Sequence, residues 1–167
     1  MSAAGRPTEP CWTLTDHHGR RVTAHDFRGR YQLVFFGFTH CKVVCPRALG
    51  KLTMVLELIG GLSEQIQPLY ISVDPARDTP EVMRAFLEDR FPSFLGLTGS
   101  EEEIETARDA FRVFAVRRDD PDEPDGYAVP HSSLTYLIGP DGHYITHYPD
   151  VVEAEHVAEG LKDIAGI

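Results

Sequence analysis

The chain has 167 residues, of which 42% are hydrophobic and 25% charged, a balance that suits one compact domain with a core of its own and argues against disorder. Its formal net charge of −10 weighs against nucleic acid, whose phosphates need a basic face. Three cysteines cannot build a disulfide framework, and no apolar run reaches the length of a membrane span.

The opening residues, MSAAGRP, are small and polar rather than charged and then apolar, so they do not read as a signal peptide. Residues 1–10 are expected to be a flexible segment ahead of a single domain over 11–167. Residues 12–14 and 21–23 read as a short hairpin across the turn DHHG. The run LVFFGF within 32–38 predicts a buried central strand. Leu49, Leu52, Val55, Leu56 and Ile59 then recur at helical spacing over 46–59, and Gly60 and Gly61 end that helix. A second buried strand is predicted over 66–73. Thr79 and Pro80 supply an N-cap and a first-turn proline for a helix to about residue 89. After a short connection comes an amphipathic helix over 101–111. The charge run DDPDEPDG at 119–126 reads as an exposed loop. Strands over 134–138 and 144–147 flank the hairpin turn GPDG, and a closing helix covers 153–164. Parallel strands linked by helices and finished by an antiparallel hairpin predict an α/β, thioredoxin-like fold. It has a central mixed sheet flanked by helices and an N-terminal β-hairpin extension.

Two cysteines, Cys41 and Cys45, stand four apart in FGFTHCKVVCP, where the first buried strand gives way to its helix. Chemistry in open α/β sheets collects at the carboxyl ends of strands. Pro46 suits the opening of a helix, which puts Cys45 at its N-terminus and Cys41 just upstream. Backbone N–H groups there lower thiol pKa values, and Lys42 and His40 push the same way. Side chains at i and i+4 of a helix have β-carbons roughly 5–6 Å apart, wider than the ~3.8 Å of a disulfide. A metal between the two sulfurs therefore needs less adjustment than a disulfide does. Soft thiolates suit Cu(I), zinc or iron–sulfur clusters, and two sulfurs are too few for a closed zinc site or a cluster. Copper fits best. Two plain core cysteines are the competing reading, and the flanking Lys, His and Pro argue against it.

In these residues the sequence resembles the Sco/SenC family of cytochrome oxidase copper-assembly proteins, over nearly its whole length. The matching stretches are LTDHHGRRVTAHDFRGRYQLVFFGFTHCKVVCP, YISVDPARDTPEVMRAFL, FLGLTGSEEEIETARDAFRVF and HSSLTYLIGPDG. The resemblance implies a copper site made of Cys41, Cys45 and His131, holding Cu(I) and, through the imidazole nitrogen, Cu(II). It implies a metallochaperone that passes copper to the dinuclear copper site of a cytochrome c oxidase subunit, with a thioredoxin-like reductant as a further partner. It also implies an N-terminal membrane anchor, with the domain on the outer, periplasmic side of a bacterial membrane. Two positions depart from the family pattern. Lys42 and Val43 stand where Pro-Asp is usual, and Pro130 stands where many members have an acidic residue; such neighbours tune affinity and redox behaviour.

The alternative is a thiol–disulfide oxidoreductase in which Cys41 and Cys45 are a catalytic redox pair that reduces cysteines of a target protein. The absence of C-x-x-C counts against it, as does Ser133 where thioredoxins carry a cis-proline. A peroxiredoxin-like peroxidase fits poorly, because Thr39 stands two residues before Cys41 instead of three. Elsewhere, His17, His18, His25, His143, His147 and His156 share no ligand spacing and read as surface residues. Cys11 reads as a packing residue. The segment DPARDTP at 74–80 is expected on the same rim as the cysteine pair, with Asp78 and Thr79 serving the turn and the helix cap.

Overall fold

A computed structural model describes residues 10–39, 44–113, 118–119, 127–128 and 134–166. Seven strands form one sheet: β1 (Thr13–Asp16), β2 (Arg21–Thr23), β3 (Tyr31–Gly37), β4 (Ile66–Ser72), β5 (Leu95–Thr98), β8 (Leu134–Ile138) and β9 (Tyr144–Pro149). A separate two-stranded ladder joins β6 (Arg118–Asp119) to β7 (Tyr127–Ala128). The helices are α1 (Val44–Ile59), α2 (Pro80–Arg90), α3 (Glu101–Phe111) and α4 (Ala154–Ala165). Strand order in the large sheet is β2-β1-β5-β4-β3-β8-β9. β3 runs parallel to β4 and β4 to β5, whereas β8 lies antiparallel to β3 and β9 antiparallel to β8. This is the mixed sheet with an N-terminal hairpin that the element order predicts.

Alternation along β3 explains how one apolar run serves two layers, since successive side chains of a strand point to opposite faces. Leu33 and Phe35 pack with Leu49, Leu52 and Val55 of α1, Leu87 of α2 and Leu161 of α4. Val34 and Phe36 pack on the other face with Ile104 and Phe111 of α3 and with Trp12. Covering both faces is why β3 reads as a continuous hydrophobic stretch rather than an alternating one.

Several boundaries differ from the predicted ones. α1 begins at Val44, so Pro46 is its third residue, still within the first turn where a missing N–H costs nothing. β5 is a strand where the sequence predicts only a connection. LGLT is short and is held by pairing with β4 and β1. Gly96 packs closely there: a β-carbon would lie 2.6 Å from Leu87 Cδ1 and 2.9 Å from Met83 Cε, so any larger residue would displace both side-chain ends. Of the acidic run at 119–126, Asp119 belongs to β6, paired with Tyr127, and residues 120–126 lie outside the described residues, as do residues 1–9.

α3 opens on a capping box, with the Glu103 N–H donating to Ser100 Oγ at 3.1 Å and the Ser100 N–H donating to Glu103 Oε1 at 3.0 Å. Arg21 of β2 pairs with the same carboxylate and ties the hairpin to α3. The Arg21 hydrogen bond first, and the Ser100 N–H second, hold the Glu103 carboxyl at about 2, below its usual 4.5. A depressed folded value means the native state binds fewer protons, so this stabilisation is whole above 4.5 and is lost as pH falls towards 2. The gap in urea midpoint between wild type and Glu103→Gln is therefore expected to be constant near neutrality and to close over that window. An equal gap at pH 3 and pH 6 would refute the assignment.

Candidate metal centre

The carboxyl ends of β3, β4 and β5 meet at one rim, and hydrogen bonds lock them together. The Val73 N–H donates to Gly37 O at 2.8 Å, which carries the β3–β4 ladder one step past its last paired residues. Beyond Gly37 come Phe38, which is buried, and Thr39. Asp78, 0% exposed, reaches this point from the loop before α2. Its carboxylate accepts the Thr39 N–H at 3.0 Å, the Thr39 hydroxyl, and the Ser72 hydroxyl at 2.8 Å. Its own carbonyl accepts the Thr98 hydroxyl at 2.7 Å, which adds β5 to the junction. Burial pushes the Asp78 carboxyl above the usual range; the bonds from Thr39 and Ser72 oppose that, and Asp74 adds to it. Beside it, Arg77 pairs with Asp74, and its guanidinium lies 5.8 Å from the centre of the Phe38 ring.

The segment at 74–80 thus lies on the rim to which β3 leads, but its division of labour differs from the expected one. Thr79 alone caps α2, accepting the Val82 N–H at 3.3 Å. Asp78 instead turns inward. The residue that points to this in the sequence is Ser72, a small hydroxyl residue closing a mostly apolar strand, IQPLYIS, because a buried polar group needs a partner.

Cys45 is the second residue of α1, in the turn whose N–H groups have no partner within the helix. Contacts from an arginine and a lysine hold this end of α1 in place. Arg47 meets Asp150 at 2.7 Å, and Lys51 donates to the carbonyls of Asp150 and Val152 on the connection between β9 and α4. Cys41 and His131 lie outside the described residues, together with His40, Lys42, Val43, Pro130 and Ser133.

Two expectations are corrected. Cys11 is exposed and not a packing residue; Trp12, the next residue along, takes the inward position. His17 is buried, 6% exposed, and not a surface residue. Gly96 leaves room for its ring, and the Gly96 N–H donates to His17 Nδ1 at 2.9 Å. Burial, and then neighbouring His18, hold its pKa below 6.5. Ligand atoms of His17, His18 and Glu88 lie within 4.8 Å of one another. They do not make a metal site as arranged. With Nδ1 accepting a hydrogen bond, the other nitrogen of neutral His17 carries the proton and has no lone pair to offer. His18, His25, His147 and His156 are exposed, as predicted, and His143 is half-buried.

A family model described as SCO1/SenC matches residues 2–166. The chain belongs to the SCO1/SenC family. It is 37% identical over 150 residues to the SCO2-like protein RP587 of Rickettsia prowazekii, covering 90% of this chain and 73% of that protein. It is 37% identical over 164 residues to Protein sco1 of Schizosaccharomyces pombe, covering 96% of this chain and 62% of that one. Among solved structures, Arabidopsis thaliana ScoI with copper bound superposes with a TM-score of 0.86 at 32% identity, covering 94% of this chain and 98% of the other. Among the described residues, no helix is long and apolar enough to cross a membrane.

Proposed function

We propose that this protein carries copper between Cys41, Cys45 and His131 and delivers it to the dinuclear copper site of a cytochrome c oxidase subunit. The observation that carries the reading is the antiparallel pairing of β3 with β8, in which Phe35 faces Thr135. Antiparallel neighbours bring the end of one strand beside the start of the other. The chain leaving β3 reaches Cys41 four residues after Gly37, and the chain entering β8 leaves His131 three residues before Leu134. The described residues nearest to these two positions, Gly37 and Leu134, thus belong to the same end of the sheet, which supports a site whose ligands are 86 positions or more apart in sequence. Cys45 in the first turn of α1 supplies the third.

The donor set suits a cargo that must be held and then released. The partnerless N–H groups of the α1 N-terminus favour thiolate over thiol at Cys45, and two thiolates alone satisfy Cu(I). The imidazole adds a harder nitrogen donor that accommodates Cu(II). Transfer then needs only stepwise replacement of these ligands by those of the recipient. A thioredoxin-like reductant would keep the cysteine pair in its dithiol form. An anchored domain outside the cytoplasm would face the recipient directly. The copper-bound relative from Arabidopsis supports the reading.

The test is stoichiometric. Reduced protein titrated with copper is expected to bind one ion per chain and to develop a thiolate-to-Cu(II) absorption band. Protein that takes up no copper, or binds it without that band, refutes the reading.

A further inference from the structure

Asp78 is a buried carboxylate, and such a group costs folding free energy unless something specific holds it. Neither a helix cap nor an ion pair accounts for it among the described residues. Thr79, not Asp78, caps α2, and Arg77 pairs with Asp74. What Asp78 does hold is Thr39, which gives it both the backbone N–H and the hydroxyl, while Ser72 gives it a third donor from the end of β4. Thr39 is two residues before Cys41. Two residues of chain span at most about 7 Å, so the position of Thr39 limits where the Cys41 sulfur can be.

We infer that Asp78 is a positioning residue for Cys41: by fastening Thr39 to the end of β4, it presets the approach of that thiolate to the copper. This rests on the proposed copper site. A ligand loop anchored in advance loses less freedom when the ion arrives. The Thr39 N–H matters most, since it fixes the main chain at the last residue before the motif begins.

The experiment compares Asp78→Ala with Asp78→Asn in the full chain, using Cu(II) alone as the probe. The alanine variant is expected to bind Cu(II) about tenfold more weakly and to show a shifted thiolate-to-Cu(II) band. The asparagine variant is expected to restore both. Its amide oxygen still accepts from Thr39 N–H and Ser72, and its amide nitrogen donates to the Thr39 hydroxyl, which can accept in turn. A wild-type spectrum and affinity in Asp78→Ala overturns the inference, even where its urea midpoint falls, because the role would then be structural only. Asp78→Asn behaving like Asp78→Ala also overturns it, since charge and not tethering would be at work. Should the alanine variant fail to fold, Thr39→Ala keeps the main-chain bond and loses the hydroxyl one. It is expected to shift the band from its wild-type position, and an unshifted band overturns the inference. If the wild-type chain itself takes up no copper, the copper reading fails separately. The metal-free readout is then the alkylation rate of Cys41 relative to Cys45, expected to change in Asp78→Ala and recover in Asp78→Asn; an unchanged ratio overturns the inference.

Discussion

His131→Ala is expected to lose Cu(II) binding by more than about a hundredfold while keeping a substantial capacity for Cu(I). Even partners outside the ligand set change metal affinity by about 10–100-fold when lost, and this substitution removes a ligand. The effect should be uneven because the two oxidation states ask for different donors. Cu(I) is content with two sulfurs, whereas Cu(II) favours more and harder ligands. The same variant separates metal carriage from thiol–disulfide exchange. Exchange depends on the thiolates and their accessibility, so reduction of a model disulfide should survive better than the Cu(II) band does. An unaltered Cu(II) spectrum in His131→Ala shows that His131 is not a ligand.

The second large effect belongs to the core beneath the site. Phe36 is 0% exposed, three residues before Thr39, and its ring meets those of Phe111 and Tyr136 edge to face, with centroids 5.3 Å and 6.2 Å away. Phe36→Ala removes both aromatic contacts and leaves a void between β3, β8 and α3. Truncations of this kind cost about 3–5 kcal/mol, a large share of the ~5–15 kcal/mol that a domain has in total. Urea unfolding of the metal-free protein measures it. A loss below about 1 kcal/mol would mean that the surrounding side chains collapse to fill the space.

The same geometry explains which elements the residues announce on their own. β3 and β4 are legible as continuous apolar runs, and α1, α2 and α3 because each carries its own helical periodicity or its own cap, as Thr79 and Pro80 do for α2. β5 is not, because LGLT has too few residues to show a period and becomes a strand only by lying between β4 and β1. The β6–β7 ladder is hidden for a similar reason: two residues on each side of a proline-rich stretch carry no pattern. The cysteine motif and its place at a strand-to-helix junction are plain from spacing and from Pro46. What lies beyond local reading is contact across the fold. His17 looks like a turn residue until Gly96, 79 positions away, is seen to donate to it. Asp78 looks like part of a cap until Thr39, 39 positions earlier, is found attached to it.

The two margins of the sheet bear on how a partner approaches. β2, at one margin, offers three residues, too few for an added strand to grip. β9, at the other, has a register shift in its ladder with β8 and ends on Pro149, which has no N–H to offer. Short, irregular or proline-terminated borders of this kind discourage lateral growth of a sheet. Recruitment by strand addition is thus disfavoured on both flanks. On the proposed copper-delivery reading, a recipient would then meet the molecule end-on, at the rim where β3, β4 and β5 finish.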